Sequence, residues 1–384
     1  MRALFVNSGL LGHRAVARLV QVAAAQMPGV DAAHIDLSGE LTPSERVMRR
    51  AFSLQLAPAA GAAANLDLRR WRQEVNVGLL ARRRIAQYEQ RCGAVDVLHM
   101  HTQAVAYASV GRMRRTPTIV SIDATQRLAS LEHPAALARW TYRPNIGHDG
   151  CVFRAAAAIV STSAWAARDL ASLYPDCAAK THVIPYPVDL SAFDASWTAE
   201  RARRADAGAP PRVLFVGGDF PRKGGFDLLD AWREGEFCRR ASLNLVTDFP
   251  LERRSLPDGV VVTSRVAPYS AEWRAVWRDA DLFVMPTRQE AFGMVFQEAA
   301  AAGLAAIAPR INAIPELVED GVTGLLIEPG DRRALVDALD SLIGRADRRA
   351  GMARAARCRI ERVAAPEVYA RRLMNVLEGA TGKA

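Results

Sequence analysis

The chain has 384 residues, half of them apolar and 24% charged, too long for one small module and enough for two to three domains at about 100–200 residues each. Its longest apolar runs are short and Ala-rich, as in AAAAGLAAIA (residues 299–308), well below the roughly 18–20 residues a membrane-spanning helix needs. The formal charge is +9, with about +8 in residues 1–190 and about +1 in the remainder, so the basic character belongs to the first half. Aromatic residues do not interleave with the basic runs as stacking platforms would, so no nucleic-acid partner is expected. Cys92, Cys151, Cys177, Cys238 and Cys358 stand singly, without a C-x-x-C pair or a His at metal-ligand spacing, and read as reduced thiols. The opening RALFVN is already strand-like, with no charged leader before it. A cytoplasmic location is the expectation.

In chain order, ALFVN, DAAHIDL, DVLHMH, TPTIVSI, AAAIVST and HVIPY are strand-like runs, most of them separated by enough residues for a helix. That is the pattern of a parallel α/β sheet. The pattern restarts with RVLFVGG, LNLVT, VVVTS, DLFVMP, LAAIAP and GLLIEP. Between the two lies DLSAFDASWTAERARRADAGAPPR, polar, Ala/Arg-rich and closed by Pro210 and Pro211, which reads as a hinge. The expected division is 1–190, a linker at 191–211, 212–360, and a final helix over 361–384 that packs back toward the first domain through Val368, Leu373, Val376 and Leu377. Two doubly wound domains of this kind are expected to line a shared ligand cleft with the carboxyl ends of their strands.

The chemistry concentrates in PTRQEAFGMVFQEAAAAG, where Glu290 and Glu298 are separated by seven residues. Glu290 follows a strand ending at FVMP and so lies in the loop at that strand's carboxyl end. The next residues start a helix whose first N–H groups, with Gly293 lacking a side chain, form a cradle for an anion or a hydroxyl. Glu298 falls about a turn and a half inside, where a carboxylate accepts from paired hydroxyls such as a ribose diol.

In this context the spacing resembles the E-x7-E motif of retaining glycosyltransferase family 4, which has the GT-B fold of two Rossmann-like domains. The resemblance continues through AAGLAAIAPRINAIPELVEDGVTGLLIEPGDRRALVDAL after the motif and VLFVGGDFPRKGGFDLLDAW before it, and more loosely through DVLHMHTQ, IVSIDATQRL and IVSTSAWAARDL in the first half. It implies a nucleoside-diphosphate sugar as donor, a saccharide or lipid-linked acceptor, and a role in cell-envelope polysaccharide or glycolipid biosynthesis. It further implies that Lys223, with Arg222 beside it, neutralises the diphosphate near the backbone of Gly217 and Gly218, since the leaving group must be stabilised as the glycosidic bond opens. Glu298 would bind the ribose, Glu290 and the N–H groups of Phe292, Gly293 and Met294 the transferred sugar, and Arg265 and Val266 the base. The resemblance also implies front-face attack through an oxocarbenium-like state, with Glu290 a catalytic-site residue and not a nucleophile. No cofactor or divalent metal is implied, and no D-x-D stands near a strand end.

The first domain departs from the family pattern at NSGLLGH, where Gly9 and Gly12 replace a richer glycine run and Gly12 is the better match. It departs again at SIDAT, where Ile122 stands in place of a His. Asp123, with Thr125, either serves the sugar or acceptor there or caps the next helix. His99 and His101 alternate on a strand, one expected toward the core and one toward the cleft. The stretch LRRWRQEVNVGLLARRRIAQY places Leu68, Trp71, Val75, Leu79 and Ile85 at helical spacing among arginines; it reads as a helix packed on the first domain with a solvated basic face, or as a peripheral contact with an anionic membrane. A GT-B-fold epimerase or phosphorylase and a basic binding protein are the competing readings.

Overall fold

Residues Arg2–Asn7 (β1), Asp31–Asp36 (β2), Val97–His101 (β3), Thr118–Ile122 (β4), Ala158–Ser161 (β5) and Thr181–Val183 (β6) pair in parallel in the order β2-β1-β3-β4-β5-β6. Strands β3, β4 and β5 are buried along their whole length, which is why each reads as a near-continuous apolar run and not as an alternating one. In register, Leu4 lies between Ala33 on β2 and Leu98 on β3. The structure, a computed structural model, describes residues 1–9, 11–56, 66–133, 135–252 and 255–382, leaving aside the side chains of residues 11–14.

A second parallel sheet repeats the design with Arg212–Val216 (β7), Ser242–Val246 (β8), Val260–Thr263 (β9), Leu282–Val284 (β10), Ala305–Pro309 (β11) and Gly324–Ile327 (β12), in the order β12-β11-β10-β7-β8-β9. Both sheets are doubly wound. The strand order reverses between β1 and β3 in the first and between β7 and β10 in the second. At such a reversal the two connections leave toward opposite faces of the sheet and open a crevice at the strands' carboxyl ends.

Each sheet has its own core, and the contacts divide the chain into Met1–Pro187 with the segment from Pro366 onward, and Val188–Ala365. Three of the expected boundaries move. Residues 191–211 are not a free linker, because Ser196–Asp206 is a helix that belongs to the second domain. Phe193 lies 5.2 Å from Trp273 between ring centroids and edge-on to Trp197 and Trp277. Buried Arg201 donates to the carbonyls of Trp277 (2.8 Å) and Ala302 (2.6 Å), satisfying acceptors that two helix ends leave over. At the other end, Ala346–Ala364 is still a second-domain helix. The crossing falls at Pro366, which cannot donate the N–H that would continue that helix. The last helix, Pro366–Thr381, buries Tyr369, Ala370, Leu373, Val376 and Leu377 against the helix Leu11–Ala24 and strands β3 and β4, with Val368 only half-buried.

The helix Arg69–Cys92 also turns differently from its apolar spacing. It buries Asn76, Gly78, Leu80, Ala81 and Ile85. The physical reason is Gly78, where a Cβ would stand 2.8 Å from the Ala108 nitrogen; a glycine lets the helix approach that backbone, and the rest of the contact stripe follows from it.

Candidate functional site: the switch point of the second sheet

The loop leaving β7, GGDFPRKGG, closes onto the loop leaving β10. Gly224 has φ +75°, and a Cβ there would stand 2.1 Å from the Pro286 carbonyl oxygen. Only glycine fits at that approach. Four contacts then tie the loops together. The Arg288 amide donates to the Arg222 carbonyl (2.9 Å), as does the Thr287 hydroxyl (3.2 Å); Arg222 Nη1 donates to the Gln289 carbonyl (2.6 Å); and Lys223 Nζ forms an ion pair with the Glu290 carboxylate. Lys223 and Glu290, proposed from sequence for adjoining parts of one ligand, are thus in direct contact.

Arg222 also braces the loops. Its Nε donates to Asp219 Oδ2 (2.9 Å) while Nη1 holds Gln289, so its guanidinium is a strut between loops. The same bond holds the Asp219 carboxyl below the usual carboxylate range. Gly217 is buried, and a Cβ there would stand 3.1 Å from Lys223 Cγ. Its lack of a side chain seats the lysine stem. Gly218 is exposed with open space around it, so nothing in its packing demands glycine.

On the β10 side, Asn312 Nδ2 donates to the Glu290 carbonyl (3.0 Å), a contact from the loop after β11 that no periodicity announces. Gly293, at φ +91°, caps the helix Met294–Ala301 without a side-chain hydrogen bond. A Cβ there would lie 2.9 Å from the Phe296 ring and 3.3 Å from Glu290 Cγ, so glycine keeps the helix start open beside the glutamate. Phe292 is buried and Met294 half-buried. Glu298, further along the same helix, is only partly exposed, and its carboxylate has no partner among the described residues. Desolvation pushes it up to about 8. Arg265 is exposed in a left-handed conformation, its amide donating to Asp248 Oδ1 (2.6 Å). Val266 packs against the domain core.

In the first domain, Thr125 and not Asp123 caps the helix Gln126–Leu131: its hydroxyl accepts from the Leu128 amide (3.2 Å) and donates to Asp169. Asp123 remains half-buried at the end of β4. The first domain also holds a buried polar network that no sequence spacing announces. Tyr107 donates to Asp149 (2.9 Å), the Gln126 amide to Asp149 (3.1 Å), and Asn145 and Gln126 to Glu74 (2.7 and 2.9 Å). Burial pushes Asp149 up to about 8. His99 and His101 are both buried, on Ser121 (2.7 Å) and Tyr186 (2.6 Å); residues two apart on a strand share a face, so the two do not divide between opposite faces of the sheet. Burial lowers His99 to about 3. Gly9, at φ +69°, lies where a Cβ would strike Ser38 at 2.4 Å and serves the turn. Gly12 falls in the opening turn of Leu11–Ala24; its surroundings lie outside the described residues.

Comparisons with known proteins bear on the family and the fold. Residues 210–345 match the family described as glycosyl transferases group 1, and residues 46–192 match glycosyltransferase family 4. The chain belongs to glycosyltransferase family 4. Relatives of this glycosyltransferase include D-inositol 3-phosphate glycosyltransferases from Xylanimonas cellulosilytica, 32% identical over 54% of this chain and 53% of that one, from Paenarthrobacter aurescens, 29% over 70% and 69%, and from Saccharomonospora viridis, 31% over 70% and 66%. The match thus spans about half of the first relative and about two thirds of the other two. Among solved structures, the sucrose-phosphate synthase of Thermosynechococcus elongatus superposes with a TM-score of 0.74 at 18% identity over 100% of this chain and 99% of that one. HepE of Anabaena, in complex with UDP and glucose, gives 0.66 at 16% over 98% and 99%. These likenesses establish the GT-B fold.

Proposed function

We propose that this glycosyltransferase moves a hexose-type sugar, with retention, from a nucleoside-diphosphate sugar seated on the second domain to a hydroxyl of a saccharide or lipid-linked acceptor. The observation that carries the reading is the meeting of Lys223 and Glu290 on the two loops of the strand reversal, with Glu298, whose carboxylate has no partner among the described residues, in the helix that follows. Lys223 stabilises the charge that grows on the departing diphosphate. Glu290 and the uncapped helix start hold the sugar hydroxyls, Glu298 accepts from the ribose diol, and Arg265 and Val266 border the base. Asp123 is the first-domain residue we assign to the sugar or acceptor. Because a lysine supplies the positive charge, the reaction is read as metal-independent. The UDP and glucose bound to HepE support a sugar nucleotide as donor, and the names of the relatives make a phosphorylated polyol the first acceptor to try; cell-envelope polysaccharide or glycolipid synthesis is the assigned context.

The test is release of nucleoside diphosphate and formation of glycoside, followed by mass spectrometry, over UDP-, GDP- and ADP-sugars with inositol phosphate, saccharide and lipid-linked acceptors. Lys223→Ala and Glu290→Ala are each expected to lose most turnover, about 100-fold or more, while remaining folded. EDTA is expected to leave the rate unchanged. Near-normal turnover in both variants refutes the site, and a rearranged free sugar or a sugar phosphate as product replaces transfer with epimerase or phosphorylase chemistry.

We also assign the first domain a peripheral contact with anionic membrane, centred beside the arginine-rich helix Arg69–Cys92 and not on it. Arg84 is tied to buried Glu45 (2.7 Å), so changing it disturbs packing, and exposed Arg83 is engaged by Ser44 (3.1 Å). The helix Pro43–Ser53 instead exposes Arg46, Arg49 and Arg50 with Val47 (66% exposed) and Leu54 just beyond (57%). The turn Ala136–Tyr142 exposes Leu137 (93%) and Trp140. Both adjoin the start of Arg69–Cys92, where Arg72 bonds the Leu54 carbonyl (2.7 Å) and Arg70 the Tyr142 hydroxyl (3.3 Å). Apolar side chains among arginines suit an anionic interface.

A further inference from the structure

We propose that Glu290 competes with the nucleoside diphosphate for Lys223, so that the site favours the intact sugar nucleotide over the diphosphate left behind after transfer. The inference rests on the donor site proposed above and concerns how that site distinguishes its substrate from its product.

The two side chains touch and are only 16% and 18% exposed. A lysine ammonium is a compact point charge, and the lysine stem is confined where it crosses Gly217. The backbones on either side are fixed. Arg222 bridges its own loop to the Gln289 carbonyl (2.6 Å), and Asn312 holds the Glu290 carbonyl (3.0 Å). Exchange of partners therefore takes place in the side chains and not by parting of the loops. A diphosphate that takes the ammonium leaves a carboxylate, poorly hydrated, next to further negative charge, which is unfavourable unless the carboxylate gains new donors. The hydroxyls of the attached sugar are such donors. The diphosphate without its sugar presents none to Glu290. The intact donor thus compensates both halves of the broken pair, whereas the product compensates one, and re-formation of the ion pair favours its departure.

The experiment is isothermal titration of the wild type, Glu290→Gln, Lys223→Gln and the double variant, without acceptor and up to millimolar ligand so that weakened variants stay measurable. UDP, GDP and ADP are screened first, and the series that binds is continued with the diphosphate and its sugar conjugate. Glu290→Gln is expected to bind the diphosphate about three- to tenfold tighter than wild type, to narrow the preference for the conjugate, and to show no such gain in the Lys223→Gln background. A gain of equal size in that background means plain charge repulsion and overturns the proposal, as does no gain at all while Lys223→Gln weakens binding. A wild type that binds none of the sugar nucleotides, or a Lys223→Gln protein that binds them normally, overturns the donor site itself and the proposal with it.

Discussion

Glu298 is the residue whose environment departs furthest from its ordinary one within the second-domain site. Its raised value means that the folded protein keeps the proton at pH values where the unfolded chain has lost it, so its contribution to stability declines as pH rises from about 4.5 to about 8. A ribose diol donates to the carboxylate form, so nucleotide binding should expel this proton. At pH 7 titrations in buffers of different ionisation enthalpy should therefore report proton release, and affinity should climb between pH 6 and 8 by up to about tenfold per unit. Glu298→Gln is expected to abolish both the release and the slope. Proton uptake, or a slope that survives the substitution, would remove Glu298 from the ribose. The motif glutamates were legible in the sequence because their spacing sits in a strand–loop–helix context. Asn312 and the strut role of Arg222 were not, since both depend on which backbone carbonyl happens to lie within reach across a loop.

At the scale of elements, every strand was legible, the central ones because buried parallel strands read as short apolar runs with helix-length spacers. The segment 191–211 was misread because its composition is that of a linker while its anchors are few: Phe193, Trp197 and Arg201 fix a helix that is otherwise polar. Arg201→Ala leaves several buried carbonyls without a donor, and at about 1–3 kcal/mol for each group so stranded the loss should be at least about 3 kcal/mol, read by denaturant unfolding of the second domain. A change under about 0.5 kcal/mol would mean that the helix is held by its aromatic residues alone. The turn of Arg69–Cys92 away from its apolar spacing has a similar origin, since one glycine sets the closest approach and outweighs the periodicity around it.

At the scale of the whole chain, the uneven charge has a consequence that liposome sedimentation reads. Binding to vesicles with acidic lipid should exceed binding to neutral ones, weaken with salt, and drop when Arg49, Arg50 and Val47 are changed together to Glu; binding indifferent to lipid charge or to these changes would leave the first domain without a membrane role. The central claim is that the strand reversal at β7 and β10 holds the nucleotide sugar. The most direct measurement is amide hydrogen exchange with and without UDP, GDP or ADP and their sugar conjugates. The account predicts that the nucleotide which binds protects residues 217–225 and 287–299 above all others in the second domain, and that Lys223→Ala removes the protection. Protection confined to other segments, or unchanged by that substitution, would contradict it.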